Sequence, residues 1–407
     1  MSKSRIPRGV SLFILSIVVL IVAIPGLLLF VRLTATKLHP HPRQIPSVTN
    51  SQPSSNWADA IEQARDFVRT SLSEENLPGV SVATGIDGKI VWEEGFGFAN
   101  LENKTPVTPE HRFRIGTASI ALTSAGVGVL LDEGRLKLDD EIQTYVPEFG
   151  ARQWPVTIRE VMGHLGGVMG EDPDNGVLTS TPCKSTTDAL NLFVKQPISR
   201  PGKEYRFSTF GWILLTAVVE RVANQPLTTF MEEKVYRPLE MLDTVKDSAK
   251  DPVPKEATLY FPKFLTRPVY GVEPFHKFDY SCYGGAGGYL STPSDLVRFG
   301  MAMNGGKLLR RDTVQLLQTP QRVASGEETG YGLGWEIKTI TVDGHPVRAA
   351  GHDGMIFSRS AVSLLTLPER GIAVAVTSNI PSLEGIGSLA ERIARAFAAS
   401  RGHTNQQ

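Results

Sequence analysis

Apolar residues recur at helical spacing through "WADAIEQARDFVRTSLSEE", residues 57–75, and predict an amphipathic helix. The following "GVSVATGIDGKIVWEEGFGFAN" reads as two strands of a hairpin with Asp87-Gly88 at the turn. Towards the other end, "RSAVSLLTLPERGIAVAVTSN" predicts two more strands around a Pro-Glu-Arg-Gly turn, and residues 383–400 form an amphipathic helical pattern. The middle, residues 115–330, is mostly helical pattern with loops, as in "SAGVGVLLDEG", "TIREVMGH" and "GWILLTAVVERVANQ". Strands at both termini around a helical insertion imply one sheet assembled from both ends of the chain. There is no internal repeat.

The N-terminal pattern is different in kind. "VSLFILSIVVLIVAIPGLLLFV", residues 10–31, is an uncharged run long enough to cross a bilayer core as a helix. It is too long for a signal-peptide core, and no small-x-small cleavage site follows in "RLTATK", so an uncleaved signal-anchor is expected. Lys3, Arg5 and Arg8 precede the run and Arg32, Lys37 and Arg43 follow it, so charge sets the orientation only weakly. The expected topology keeps the short tail inside and the globular domain outside, as a single-pass, extracytoplasmic (periplasmic or extracellular) protein. Residues 38–56, "LHPHPRQIPSVTNSQPSSN", read as an extended Pro/Ser-rich linker. The domain plan is therefore tail and anchor over 1–37, linker over 38–56, globular domain over 57–400 and a disordered tail over 401–407.

Composition adds mainly exclusions. The 407 residues are 41% hydrophobic, enough for a large core. Lys plus Arg and Asp plus Glu are 42 each, so no global field draws the chain to nucleic acid, and no basic stripe is visible. Cys183 and Cys282 lack metal-ligand spacing and read either as one disulfide or as two buried thiols. No cofactor or metal motif is present, and none is expected.

The order of segments resembles the serine β-lactamase and penicillin-binding-protein superfamily, especially class C β-lactamases, related esterases and mitochondrial serine-β-lactamase-like proteins. The resemblance runs over residues 75–380. It is carried by "LPGVSVATGIDGKIVWEEGFGFANLENKTPVTPEHRFRIGTAS", "LLDEGRLKLDDEIQTYVPEF", "PGKEYRFSTFGWILL", "RPLEML", "GGAGGYLSTPSDLVRF", "YGLGWEI" and "AGHDGMIFSRSA". It implies an α/β (α+β) β-lactamase/transpeptidase-like fold, an antiparallel sheet flanked by terminal helices with a helical subdomain.

The family's three catalytic motifs are altered here. Its Ser-x-x-Lys falls on Thr117-Ala118-Ser119-Ile120, which puts Thr117 at the nucleophile position and Ile120 at the Lys position. No Ser in the chain has a Lys three residues on, and Thr181-Pro-Cys-Lys184 lies in an irregular stretch. The Tyr-x-Asn motif, aligned on Pro201-Gly202 and Gly211, becomes Phe207-Ser208-Thr209. The third, Lys/His-x-Gly on a strand, stands as His352-Asp353-Gly354. By the resemblance, the oxyanion hole would be the backbone N–H groups of Thr117 and Met355, which do not depend on side-chain identity.

A Thr hydroxyl can attack if a base activates it, so Ile120 is the heavier change. General-base catalysis contributes roughly 10² to 10⁴ in rate. An ammonium replaced by a branched alkyl and a phenol replaced by a phenyl keep space and lose polarity. The expectation is a membrane-anchored, catalytically impaired member of the family that binds a small molecule, a peptide or a partner in the old cleft. The alternative is a weak hydrolase with Thr117 as nucleophile and His352 as base, and the plainest reading is a structural assembly module. His164 in "GHLGG" reads as a local structural residue, "GEDPDN" at 170–175 as a solvated acidic loop, and Trp335, Phe113 and Phe207 as core or pocket wall. Asp353 would repel a carboxylate substrate.

Overall fold

Both termini do feed one sheet. The computed structural model describes residues 23–170, 178, 182–248, 253–264, 267–275, 279–357, 359–382 and 385–404. In chain order its principal elements begin with helix α1 (Ala58–Glu75) and strands β1 (Gly79–Ile86) and β2 (Lys89–Asn100). Helices α2 (Ser119–Asp132), α3 (Thr186–Phe193), α4 (Thr209–Ala223) and α5 (Pro293–Gly305) follow. Strands β3 (Glu336–Val342), β4 (His345–Ile356), β5 (Arg359–Leu367) and β6 (Ile372–Ser382) then lead to helix α6 (Ile386–Thr404).

The predicted turn is present: Asp87 and Gly88 both have positive φ, 49° and 85°, as a two-residue hairpin turn requires. The last strand, β6, pairs antiparallel with β1 in the register Ile372↔Ile86 to Ser378↔Val80. The sheet continues β2-β1-β6-β5-β4-β3, all antiparallel. Every position of β1 and β6 is buried, because helices cover both faces at the sheet's centre. One face packs on α1 and α6 through Ile61, Val68, Leu72, Leu389, Ile393 and Phe397. The other meets α5 and the helical subdomain around α2 and α4. Helix α2 is buried at every position from Ser119 to Leu130, which explains why its sequence is apolar all round rather than striped.

Three expectations need correction or restriction. The segment 38–48 is not a free linker. Ser47 and Val48 add an edge strand to β2, opposite Phe96 and Gly95. Ile45 is buried, and the His39 ring is bonded to the Pro78 carbonyl at 3.1 Å. Its high proline content fits because an edge strand needs only half its backbone groups paired. At the other end α6 runs on through 401–404, which the sequence reading had given to a disordered tail. Of the apolar run 10–31, residues 10–22 lie outside the described residues, as does 171–175 of the acidic loop. Residues 23–34 are helical, and among the described residues no helix is long and apolar enough to cross a membrane.

Cys183 and Cys282 are joined as a disulfide across 99 residues of sequence, which decides between the two readings left open above. Closing so long a loop restricts the unfolded chain, so replacing both cysteines by Ser is expected to cost about 2–5 kcal/mol. Urea denaturation with and without the substitutions measures this, and an unchanged midpoint would contradict it.

Candidate active site

The start of α2 and the end of β4 approach each other until backbone touches backbone. Gly116 has φ +49°, and a Cβ there would lie 2.2 Å from the Met355 carbonyl oxygen. A Cβ on Gly354 would likewise lie 2.2 Å from the Ile115 carbonyl oxygen. These two glycines therefore permit the contact that brings the first and third motifs together.

Thr117 sits half-buried in the short 3-10 turn Gly116–Ala118 that leads into α2. Its Oγ1 donates to the Asp353 carbonyl at 3.1 Å and accepts the Met355 N–H at 2.9 Å. The hydroxyl is thus held by two backbone groups of β4, and one of the two expected oxyanion donors is already engaged by it. One turn on, Ile120 is fully buried in the main core, where the family motif would carry an amine.

His352 is buried on β4, and its two ring nitrogens have partners other than Thr117. Its Nδ1 is 2.7 Å from the Asp353 carbonyl, which can only accept, so Nδ1 carries a proton. In the neutral ring Nε2 then accepts from the Tyr331 hydroxyl at 2.9 Å. The Asp353 carbonyl consequently receives both Thr117 and His352, and the lone pair that a base would use is committed to Tyr331. Tyr331 is buried, and burial pushes its phenol well above the usual range, so it stays a neutral donor. Glu336 lies 3.9 Å from His352 Nδ1 on β3, with its carboxyl raised by burial.

Phe207 occupies the wall between two imidazoles, its ring centroid 4.4 Å from His164 and 6.4 Å from His352. Ser208, next in sequence, caps α4 by accepting the Gly211 N–H at 3.0 Å, and Thr209 opens the helix as a buried residue. His164 supports this corner: Nδ1 accepts the Ser208 N–H at 3.0 Å, and its own carbonyl accepts the Arg206 N–H at 3.0 Å. Its Nε2 has no hydrogen-bond partner, and burial, with His352 nearby, lowers its pKa well below the usual value. Trp335 and Phe113 are core residues, as expected.

The structure thus gathers Thr117, His352, Asp353, Met355 and Phe207 into one place and leaves Ile120 beneath it. Tyr331 and Glu336 were missed. They stand in "YGLGWEI", where a hydroxylated ring two residues from a glycine-flanked Leu carries no spacing signal of its own; the pairing of β3 with β4 sets Glu336 near His352, and a bridge from Tyr331 to Glu336 brings the ring alongside. No group of three or more metal-binding side chains occurs among the described residues.

The family model described as Beta-lactamase matches residues 58–398. The serine beta-lactamase-like protein LACTB, mitochondrial, of Bos taurus is 27% identical, with 85% of this chain and 81% of that protein covered. Among solved structures, the octameric penicillin-binding protein homologue from Pyrococcus abyssi superposes with TM-score 0.68 at 23% identity, covering 83% of this chain and 76% of that one. The D-amino acid amidase from Ochrobactrum anthropi SV3, complexed with L-phenylalanine amide, gives TM-score 0.70 at 21% identity, covering 85% and 99%. At such identities the two structures share the fold with this chain.

Two outcomes follow from the geometry. An Ile120→Lys substitution places an unpaired ammonium in the core and is expected to lower stability by about 3–5 kcal/mol; a melting temperature at or above wild type would contradict this. His164 is held neutral in the fold, so the unfolded chain takes up its proton first. Stability from this group is complete above pH ~6.5 and falls as pH drops below it, by roughly 1.4 kcal/mol per unit. Urea titrations between pH 7 and 5.5 should show a shallower loss in His164→Asn than in wild type.

Proposed function

Starting from a chain that belongs to the beta-lactamase family, we propose that it is a membrane-anchored, catalytically impaired member which acts by binding a small molecule or peptide in the family cleft. The observation that carries this reading is the bonding of Thr117: its hydroxyl touches two backbone groups and no base. The amine that would activate it is replaced by buried Ile120 and the phenol of the second motif by Phe207. Both His352 nitrogens are committed, one to Tyr331 and one to the Asp353 carbonyl. What the cleft retains is electrostatic: the backbone N–H groups of Thr117 and Met355 suit a ligand's carbonyl oxygen. A ligand oxygen would take the Met355 donor from the Thr117 hydroxyl.

The anchor is residues 10–31, and the globular domain lies on the extracytoplasmic side. The Cys183–Cys282 disulfide supports that side, since such bonds persist in oxidising compartments.

Incubating the full chain in detergent with a fluorescent penicillin and with a fluorophosphonate, then measuring intact mass, tests the reading. The expected result is no adduct, with any ligand that binds raising the melting temperature reversibly. A stoichiometric adduct on Thr117 would overturn it and make Thr117 a working nucleophile.

A further inference from the structure

A cavity of about 430 Å³ lies in the helical subdomain, between the second half of α4 and the segment 281–289. None of Thr117, Phe207, His352 or Met355 lines it. Its size suits a small molecule. On one side Thr216 of α4 is buried against Gly284, where a Cβ would lie 3.1 Å from the Thr216 methyl carbon. The Thr216 hydroxyl is used inside the fold, donating to the Trp212 carbonyl at 2.9 Å and accepting the Gly285 N–H at 3.0 Å. Leu227 and Tyr289, both buried, supply an apolar surface.

The charged groups around this cavity are Lys184, Glu220, Arg221 and Lys246. Arg221 is taken by Glu148, at 2.6 Å. The other three form no ion pair among the described residues, with each other or with anything else. Asp188 accepts the backbone N–H of Lys184 at 2.8 Å and not its amine. Glu220 is half-buried; one of its oxygens accepts the Leu227 N–H at 3.0 Å, and the other has no hydrogen bond among the described residues. The carboxylate faces the same interior as Tyr289, whose phenol is pushed up by burial and further by the charge of Glu220.

Opposite charges held around one cavity without touching forgo the attraction that a direct pair would have. A ligand that carries both signs restores it. We propose that this cavity binds a free α-amino acid with an apolar side chain, its ammonium on Glu220, its carboxylate on Lys246 with Lys184 at the rim, and its side chain against Leu227 and Tyr289. Hydrogen bonds between charged groups are the strong ones, and a ligand lacking either charge leaves a partly desolvated group unpaired. The inference is independent of the cleft and of the anchor. The cavity wall is nonetheless bonded to the first motif: the Tyr289 carbonyl accepts the Ile115 N–H at 3.1 Å, and the Gly285 carbonyl accepts the Thr123 hydroxyl at 2.8 Å. An occupant therefore rests on the segment that positions Thr117.

The test titrates the full chain in detergent with leucine, and with N-acetyl-leucine and leucine amide, which each lack one of the two charges. Calorimetry is expected to show leucine binding, with both blocked forms at least about tenfold weaker. Glu220→Gln keeps an acceptor for the Leu227 N–H and removes the charge; it should weaken leucine binding about tenfold, as should Lys246→Gln. Lys307→Gln, exposed and outside the cavity, should leave the affinity unchanged. Hydrogen exchange in the presence of leucine should slow over residues 216–228 and 281–289. Absence of leucine binding, equal affinity for either blocked form, or an unchanged affinity in Glu220→Gln overturns the proposal. Slowed exchange confined to 345–357 would place leucine in the cleft; that too overturns this site, and leaves the binding role of the cleft standing.

Discussion

The contact between the backbone at the start of α2 and the backbone at the end of β4 is the constraint on which the remaining architecture turns. It joins residues separated by 236 positions, Thr117 and Asp353, and is possible because Gly116 and Gly354 each leave room for the other segment's carbonyl. Through it the sheet, built from the two ends of the chain, is locked to the helical insertion between them. Thr117 adds two hydrogen bonds to that seam. In a chain that lacks the neighbouring amine, the hydroxyl has a structural task that does not need reactivity.

That task makes sense of the replacements around it. Ile120 fills a position inside a helix buried at every turn, where an unpaired ammonium would lose its hydration without recovering it. Phe207 keeps an aromatic ring against His164 and His352 without a hydroxyl to satisfy. His352 is retained, but with its two nitrogens tied to Tyr331 and to a backbone carbonyl it helps hold β4 to the segment before β3. Ile120 and Phe207 thus bury no unpaired polar atom, whereas Thr117 and His352 keep theirs bonded.

The N-terminal segment shows how backbone pairing can override composition. Its proline and serine content argues for a chain without fixed structure, yet residues 36–48 are held by Asn76, Ser73, the Pro78 carbonyl and the edge of β2. The result is that little slack separates the apolar run from the body of the domain.

Much of this was legible in the sequence. The opening helix and hairpin, the closing strands, and the sheet made from both ends follow from periodicity and from the Asp87-Gly88 turn, because the side-chain period reports which face is buried. The three motif segments were also legible from their order along the chain, and the structure brings Thr117, Phe207 and His352 to one place. The Asp343-Gly344 turn of the β3–β4 hairpin carried the same kind of signal and was passed over. What no local pattern held were the partnerships made across long separations: Cys183 with Cys282, Tyr331 with His352, Asn76 with both Thr36 and Pro268. Periodicity encodes the environment of a residue along its own element, whereas a hydrogen bond or disulfide between distant segments depends on how those elements dock. For that reason the sequence determined the fold and the order of the motif segments, and only the tertiary structure decided which partners His352 and the hydroxyl of Thr117 bond.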